Sequence, residues 1–238
     1  QRGAEGGGLD RSEVPFMNGE RFPSEKEQAA IYREQLAAFH PQPVTMRTLD
    51  IGGDKSLSYF PIKEQNPFLG WRGIRVTLDH PEIFLVQVRA MLKASEGLEN
   101  LRILLPMISG VLELEESLHL IHRAWSETRD EGVNVPMPPV GVMIEIPAAV
   151  YQIRELARQV DFISVGSNDL TQYLLAVDRN NPRVADLYDF LHPAVLQALR
   201  QVVEGTHAEG KPVSICGEMA GNPLAAVLLL AMGFDSLS

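Results

Sequence analysis

The stretch that decides the fold is Asp161-Phe162-Ile163-Ser164-Val165-Gly166-Ser167-Asn168-Asp169-Leu170-Thr171-Gln172-Tyr173-Leu174-Leu175-Ala176-Val177-Asp178-Arg179-Asn180. Phe162, Ile163 and Val165 are apolar and β-prone, and the run stops at Gly166-Ser167-Asn168-Asp169. Leu170, Tyr173, Leu174 and Val177 then recur at helical spacing, so the stretch is a buried strand, a tight turn and a helix start. Asn168 and Asp169 therefore stand where a parallel strand ends, the place where α/β proteins put their chemistry. Arg179 lies far enough beyond Asp169 for its fork to turn back toward the same end. An acid and an arginine there suit a metal ion and an anion bound together. The plainer alternative is that Asn168 or Asp169 only caps the helix.

Working outward, the same alternation repeats. Apolar runs predict strands around 8–11, 43–49, 101–107, 140–146, 161–166, 212–217 and 235–238, with helical patterns at about 25–39, 68–95, 111–131, 193–209 and 223–232. Ser24 with Glu27 forms a capping box for the first of these helices, and Pro81 breaks the second. Strands alternating with helices at this spacing mean a parallel sheet. Seven strands fall one short of a (β/α)8 TIM barrel. Residues 1–8 read as a helix end running through glycine into a strand, and the last strand has no helix after it. The fold expected is α/β, a (β/α)8 TIM barrel present as a fragment lacking its first strand and last helix, with residues 1–238 as one domain. A doubly wound open sheet is the alternative, but no Gly-rich dinucleotide fingerprint follows any strand.

Composition narrows the partners. A net charge of −10 argues against nucleic acid or an anionic membrane surface. No apolar run approaches the ~20 residues of a membrane span, and the single cysteine, Cys216, fits a reducing cytoplasm. An acidic protein that binds an anion must gather its cations locally.

The C-terminal strand ends do so. They carry Arg11, Arg47, Glu145, Asn168, Asp169 and Cys216, with Asp50, Lys55, Arg72 and Arg179 in the loops beyond. Glu145 and Asp169, on neighbouring strands, suit a shared Mg2+, which takes oxygen ligands and keeps room for those of a substrate. Arg11, Arg47, Arg72 and Arg179 offer planar forks for phosphate or carboxylate. Magnesium with arginines around a phosphate is equipment for phosphoryl transfer. Cys216 is either a small buried hydrophobe or, at its strand end, a proton donor to carbon. His119 and His122 share a helix face, but a solvated face explains them better than a metal pair.

Five segments carry a resemblance: Arg47–Lys55, Asn66–Arg75, Gly141–Pro147, Gly166–Tyr173 and Cys216–Gly221. In this order they resemble the C-terminal phosphoenolpyruvate-binding domain of Enzyme I, the phosphoenolpyruvate–protein phosphotransferase of the bacterial sugar phosphotransferase system. Pro136–Pro139 and Cys216–Asn222 resemble its nitrogen-related paralogue most. The resemblance implies a cytoplasmic, homodimeric transferase that binds phosphoenolpyruvate and Mg2+. Carried over, Glu145 and Asp169 ligate Mg2+; Arg11, Arg47, Asn168, Asp169 and Arg179 hold phosphoenolpyruvate, with Lys55 and Arg72 assisting at the phosphate. Cys216 protonates the enolate carbon as pyruvate forms. The acceptor histidine lies on a separate N-terminal domain and serves an HPr-like phosphocarrier protein. Its motif is absent from this sequence, so the chain alone should not turn over.

Asp10 replaces an aromatic or apolar residue of the family pattern and is expected to set a negative charge beside Arg11. Asn222 replaces an acid, with little consequence expected. Two other functions fit the motifs: the barrel of a pyruvate phosphate dikinase or phosphoenolpyruvate synthase, and a non-catalytic dimerisation and phosphoenolpyruvate-sensing module.

Overall fold

All seven strands predicted from apolar runs are present in the computed structural model, which describes residues 6–238. The expected helix end before the first strand falls on residues outside the described ones. The chain divides into two units, Gln1–Met107 with Glu115–Pro139, and Ile108–Leu114 with Val140–Ser238.

In the first unit, β1 (Gly7–Arg11), β2 (Val44–Arg47) and β3 (Leu101–Leu105) are parallel and paired in sequence order. Helices α1 (Glu13–Met17) and α2 (Glu25–Phe39) follow β1, and α3 (Ile74–Asp79) and α4 (Pro81–Ser95) follow β2. The predicted capping box closes α2: the Glu27 amide donates to Ser24 Oγ at 3.2 Å, and the Ser24 amide donates to Glu27 Oε2 at 2.7 Å. The break expected near Pro81 separates α3 from α4, with proline in the first turn where its missing N–H costs nothing. Helix α5 spans Val111–Asp130.

The loop after β2 has a core of its own. Leu49, Ile51 and Leu57 are buried with Phe16 of α1 and Val76 of α3, and Phe22, Tyr59, Phe60 and Trp71 pack around them. Aromatic edges hold this cover in place, with Phe22 and Tyr59 ring centroids 5.1 Å apart. Helix α1 was not foreseen, being too short to show a helical period.

In the second unit, β4 (Val140–Ile144), β5 (Phe162–Gly166), β6 (Val213–Cys216) and β7 (Ser236–Leu237) are again parallel and in sequence order. Every residue of β4 and β5 is buried, as in strands covered on both faces. Helices α6 (Pro147–Tyr151) and α7 (Ile153–Gln159) join β4 to β5, α8 (Ser167–Leu175) and α9 (Pro193–Ala208) join β5 to β6, and α10 (Glu218–Gly221) and α11 (Pro223–Met232) join β6 to β7. The fold class is α/β of the TIM-barrel type, as expected.

Two details bear on the family departures. Asp10 Oδ1 accepts from Gln35 Nε2 of α2 at 3.1 Å. Asn222 Oδ1 caps α11, accepting from the amides of Leu224 at 3.0 Å and Ala225 at 3.1 Å, a role that asparagine and aspartate fill equally well.

Candidate functional site

In the first unit the chemistry gathers on the strand ends of β1 and β2. Arg11 and Arg47 end their strands as Cα partners in register. Two like charges facing each other across a ladder repel, so something negative must lie near them. Part of it comes from protein. Arg47 Nη2 is 2.7 Å from Glu13 Oε1 and 3.2 Å from Asp50 Oδ2, and Lys55 Nζ is 3.0 Å from each of the same two oxygens. Arg72 Nε reaches Asp50 Oδ1 at 3.3 Å.

Asp50 is completely buried, and Glu13 and Arg72 are nearly so. Burial pushes the Asp50 carboxyl up, but the charges of Arg47, Arg72 and Lys55 more than offset this and hold it well below the usual carboxylate range. Glu13 and Asp50 thus hold Arg47, Lys55 and Arg72 in one buried cluster. Buried charges of this kind are favourable only when paired and hydrogen-bonded. Sequence reading placed Arg47 at a strand end and Lys55 and Arg72 in the loops beyond. The structure adds the acids that hold them, Glu13 and Asp50, while Arg11 remains exposed.

A glutamine holds the two strand ends together. Gln87 of α4, fully buried, accepts from the Leu49 amide at 2.8 Å and donates to Ser12 Oγ at 2.9 Å and the Tyr32 hydroxyl at 3.2 Å. Ser12 follows Arg11 and Leu49 follows Thr48, so one side chain sets both turns. Glu13 and Gln87 were missed by sequence reading. For Glu13 a signal existed, an acid two residues past Arg11. For Gln87 none did.

In the second unit, Glu145 follows β4 and Asp169 lies in the first turn of α8, and both are buried. Asp169 is not a cap, since α8 has no side-chain cap bond; its Oδ1 pairs with Arg179 Nη1 at 3.3 Å. The Arg179 amide in turn donates to Gln172 Oε1 at 3.1 Å, fixing the backbone that carries the guanidinium. Asn168 Oδ1 accepts from the Glu218 amide at 3.1 Å, and the Tyr188 hydroxyl donates to the Asn168 carbonyl at 3.3 Å. Cys216, buried at the end of β6, donates from Sγ to the Val165 carbonyl at 3.4 Å.

The seat of Glu145 depends on glycine: a Cβ on Gly166 would lie 2.8 Å from Glu145 Oε2. A carboxylate thus lies against a strand end stripped of its side chain, next to the turn bearing Asp169. Two buried carboxylates on neighbouring strands are a fitting partial oxygen set for Mg2+. His119 and His122 are exposed, and among the described residues no three His, Cys, Asp or Glu side chains form a metal-binding group.

Residues 1–238 match the family described as PEP-utilising enzyme, PEP-binding domain. The chain belongs to this family. It is similar to an Escherichia coli (strain K12) protein named "Phosphoenolpyruvate-dependent phosphotransferase system", 53% identical over 235 residues, covering 98% of this chain and 31% of that protein. It is similar also to the phosphoenolpyruvate-protein phosphotransferase of Haemophilus influenzae, 47% identical over 243 residues, covering 100% of this chain and 42% of that one. The chain therefore spans well under half the length of these relatives. Among solved structures, a Haloferax volcanii malate synthase aligns with a TM-score of 0.63 at 14% identity, over 96% of this chain and 56% of that one. A Burkholderia xenovorans citrate lyase aligns at 0.53 and 19%, over 91% and 70%. At such identities these two speak for the fold alone. Among the described residues no helix is long and apolar enough to cross a membrane.

Proposed function

We propose that the chain is the phosphoryl-donor domain of a phosphoenolpyruvate–protein phosphotransferase. The carrying observation is the buried charge cluster of the first unit, where Glu13 and Asp50 hold Arg47, Lys55 and Arg72 at the strand ends. Guanidinium forks and an ammonium held in place this way suit a phosphate.

In this proposal Arg47, Lys55 and Arg72 neutralise the phosphate of phosphoenolpyruvate, and Arg11, Arg179 and Asn168 hold and orient the rest of the molecule. Glu145 and Asp169 would hold Mg2+, which when bound would offset charge on the substrate oxygens. Asp50 and Glu13 keep the cations aimed, so little reorganisation is needed as charge shifts. When the bond between phosphorus and the enol oxygen breaks, the electron pair passes to the enolate. The Cys216 thiol gives its proton to the terminal carbon, yielding pyruvate and a thiolate. The phosphoryl group goes to a histidine on a separate N-terminal domain and from there to an HPr-like phosphocarrier. The full protein is proposed to be cytoplasmic and homodimeric. Pro136–Pro139 and Cys216–Asn222 support the nitrogen-related branch.

Titration calorimetry of the chain with phosphoenolpyruvate, with and without Mg2+, tests this. Binding that strengthens with Mg2+ and disappears in Glu145→Gln is expected. A folded sample that binds no phosphoenolpyruvate in Mg2+ would refute it.

A further inference from the structure

Three bonds in the second unit stitch the cysteine segment to the end of β5 and the turn after it. Ser167 Oγ donates to the Cys216 carbonyl at 2.7 Å, Asn168 Oδ1 accepts from the Glu218 amide at 3.1 Å, and the Cys216 thiol donates to the Val165 carbonyl at 3.4 Å. The first is short, buried and joins residues far apart in the chain. Gly217 between them has φ +110°, and a Cβ there would lie 2.4 Å from Ser167 Oγ and 2.9 Å from Asn168 Oδ1. The backbone beside the thiol thus rests directly on the serine hydroxyl, with no room for a side chain. Ladder pairing ends at Gly166 and Cys216, which are Cα partners. Beyond that point the sheet no longer orients the segment, and Ser167 does.

We infer that Ser167 is a positioning residue for the proton transfer at carbon, holding the Cys216 backbone so that its thiol faces one side of the enolate. Ser167 is nearly fully buried and points away from solvent, so its hydroxyl has no need to touch substrate. This inference rests on Cys216 being the proton donor. Loss of the hydroxyl leaves the Cys216 carbonyl without this donor and frees the segment to shift. A displacement of about 1 Å at a reacting atom costs on the order of a hundredfold in rate.

The test follows the reverse proton step. Pyruvate is incubated in deuterium oxide with the chain and Mg2+, and exchange at the methyl group is read by NMR. In that step a carbon–hydrogen bond breaks, its proton passes to the Cys216 thiolate, and its electron pair enters the enolate. The thiol exchanges with solvent and returns deuterium. Cys216→Ala is the reference: if it exchanges as fast as the native chain, the assignment of Cys216 fails, whatever Ser167 does. If Cys216→Ala is slow, Ser167→Ala is expected to slow exchange about ten- to a hundredfold, with phosphoenolpyruvate affinity within about twofold. Ser167→Thr, which keeps the hydroxyl, should recover most of the rate. A Ser167→Ala chain that exchanges at the native rate overturns the inference. So does one whose phosphoenolpyruvate affinity falls in step with the rate, because then the serine only supports the fold.

Discussion

Replacing Asp50 with asparagine is the most informative perturbation of the charge cluster. Its carboxylate is fully buried and faces Arg47 at 3.2 Å, Lys55 at 3.0 Å and Arg72 at 3.3 Å. At an effective dielectric near 20, each contact of this length is worth about 5 kcal/mol. Desolvation of the ions offsets most of that sum. What remains is the cost of breaking a buried pair, about 3–5 kcal/mol. Asparagine keeps the shape and one acceptor, so a loss near about 3 kcal/mol is expected. Arg47 and Lys55 would keep Glu13, and the cluster would lose one negative charge. Both tryptophans, Trp71 and Trp125, belong to the first unit, so their fluorescence follows its unfolding in urea. At pH 7 the variant should unfold at lower urea, and added inorganic phosphate should stabilise it more than it stabilises the native chain. A loss under about 1 kcal/mol, with phosphate acting equally on both, would refute the claim that these cations are held by acids and await an anion.

The two shifted aspartates of the first unit should respond to pH in opposite senses. Asp50 is held low, so its stabilisation is complete above about pH 4, the usual range of an unfolded carboxylate, and is lost as pH falls further. Asp10 is pushed up by burial and by nearby Glu13, so its ionised form opposes folding. Asp10→Asn should therefore raise the urea midpoint at pH 7, and the gain should vanish below about pH 4, where both states are protonated. Gly166→Ala places a methyl where Glu145 Oε2 now sits 2.8 Å away. Calorimetry should show Mg2+-dependent binding of phosphoenolpyruvate weakened by about tenfold or more, with far-ultraviolet dichroism unchanged. Gln87→Leu strands the Leu49 amide and removes the donor to Ser12 Oγ and the Tyr32 hydroxyl, which keeps its own bond to Gln28. Urea unfolding should show about 2–4 kcal/mol lost, and Mg2+-independent phosphate binding should weaken with it.

Local rules made much of the fold legible. Continuous apolar runs marked each strand, because strands covered on both faces need no polar side. Ser24 with Glu27, and Pro81, marked helix limits through hydrogen-bonding groups close in sequence. Two short elements escaped: α1 at Glu13–Met17 and α10 at Glu218–Gly221 are shorter than any period that could reveal them. The candidate site was legible as a set of residue types at strand ends. Arg47, Glu145, Asp169 and Cys216 could be picked out because parallel strands present their C-terminal ends to chemistry.

What the sequence by itself determined, then, was which residues stand at the strand ends, since apolar period and turn chemistry act within a few residues. Which partner each one meets was decided only by tertiary structure. Arg47 meets Glu13 across 34 positions, and Ser167 meets the Cys216 carbonyl across 49. Burial then turned these contacts into chemistry. It made Asp50 an obligatory anion among three cations, and it left Gly166 bare so that Glu145 could lie against the strand end. The opening stretch, residues 161–180, shows the division most plainly. Its strand and helix were written in its own side chains, whereas Asp169 met Arg179, and Ser167 met the distant Cys216 carbonyl, by packing alone.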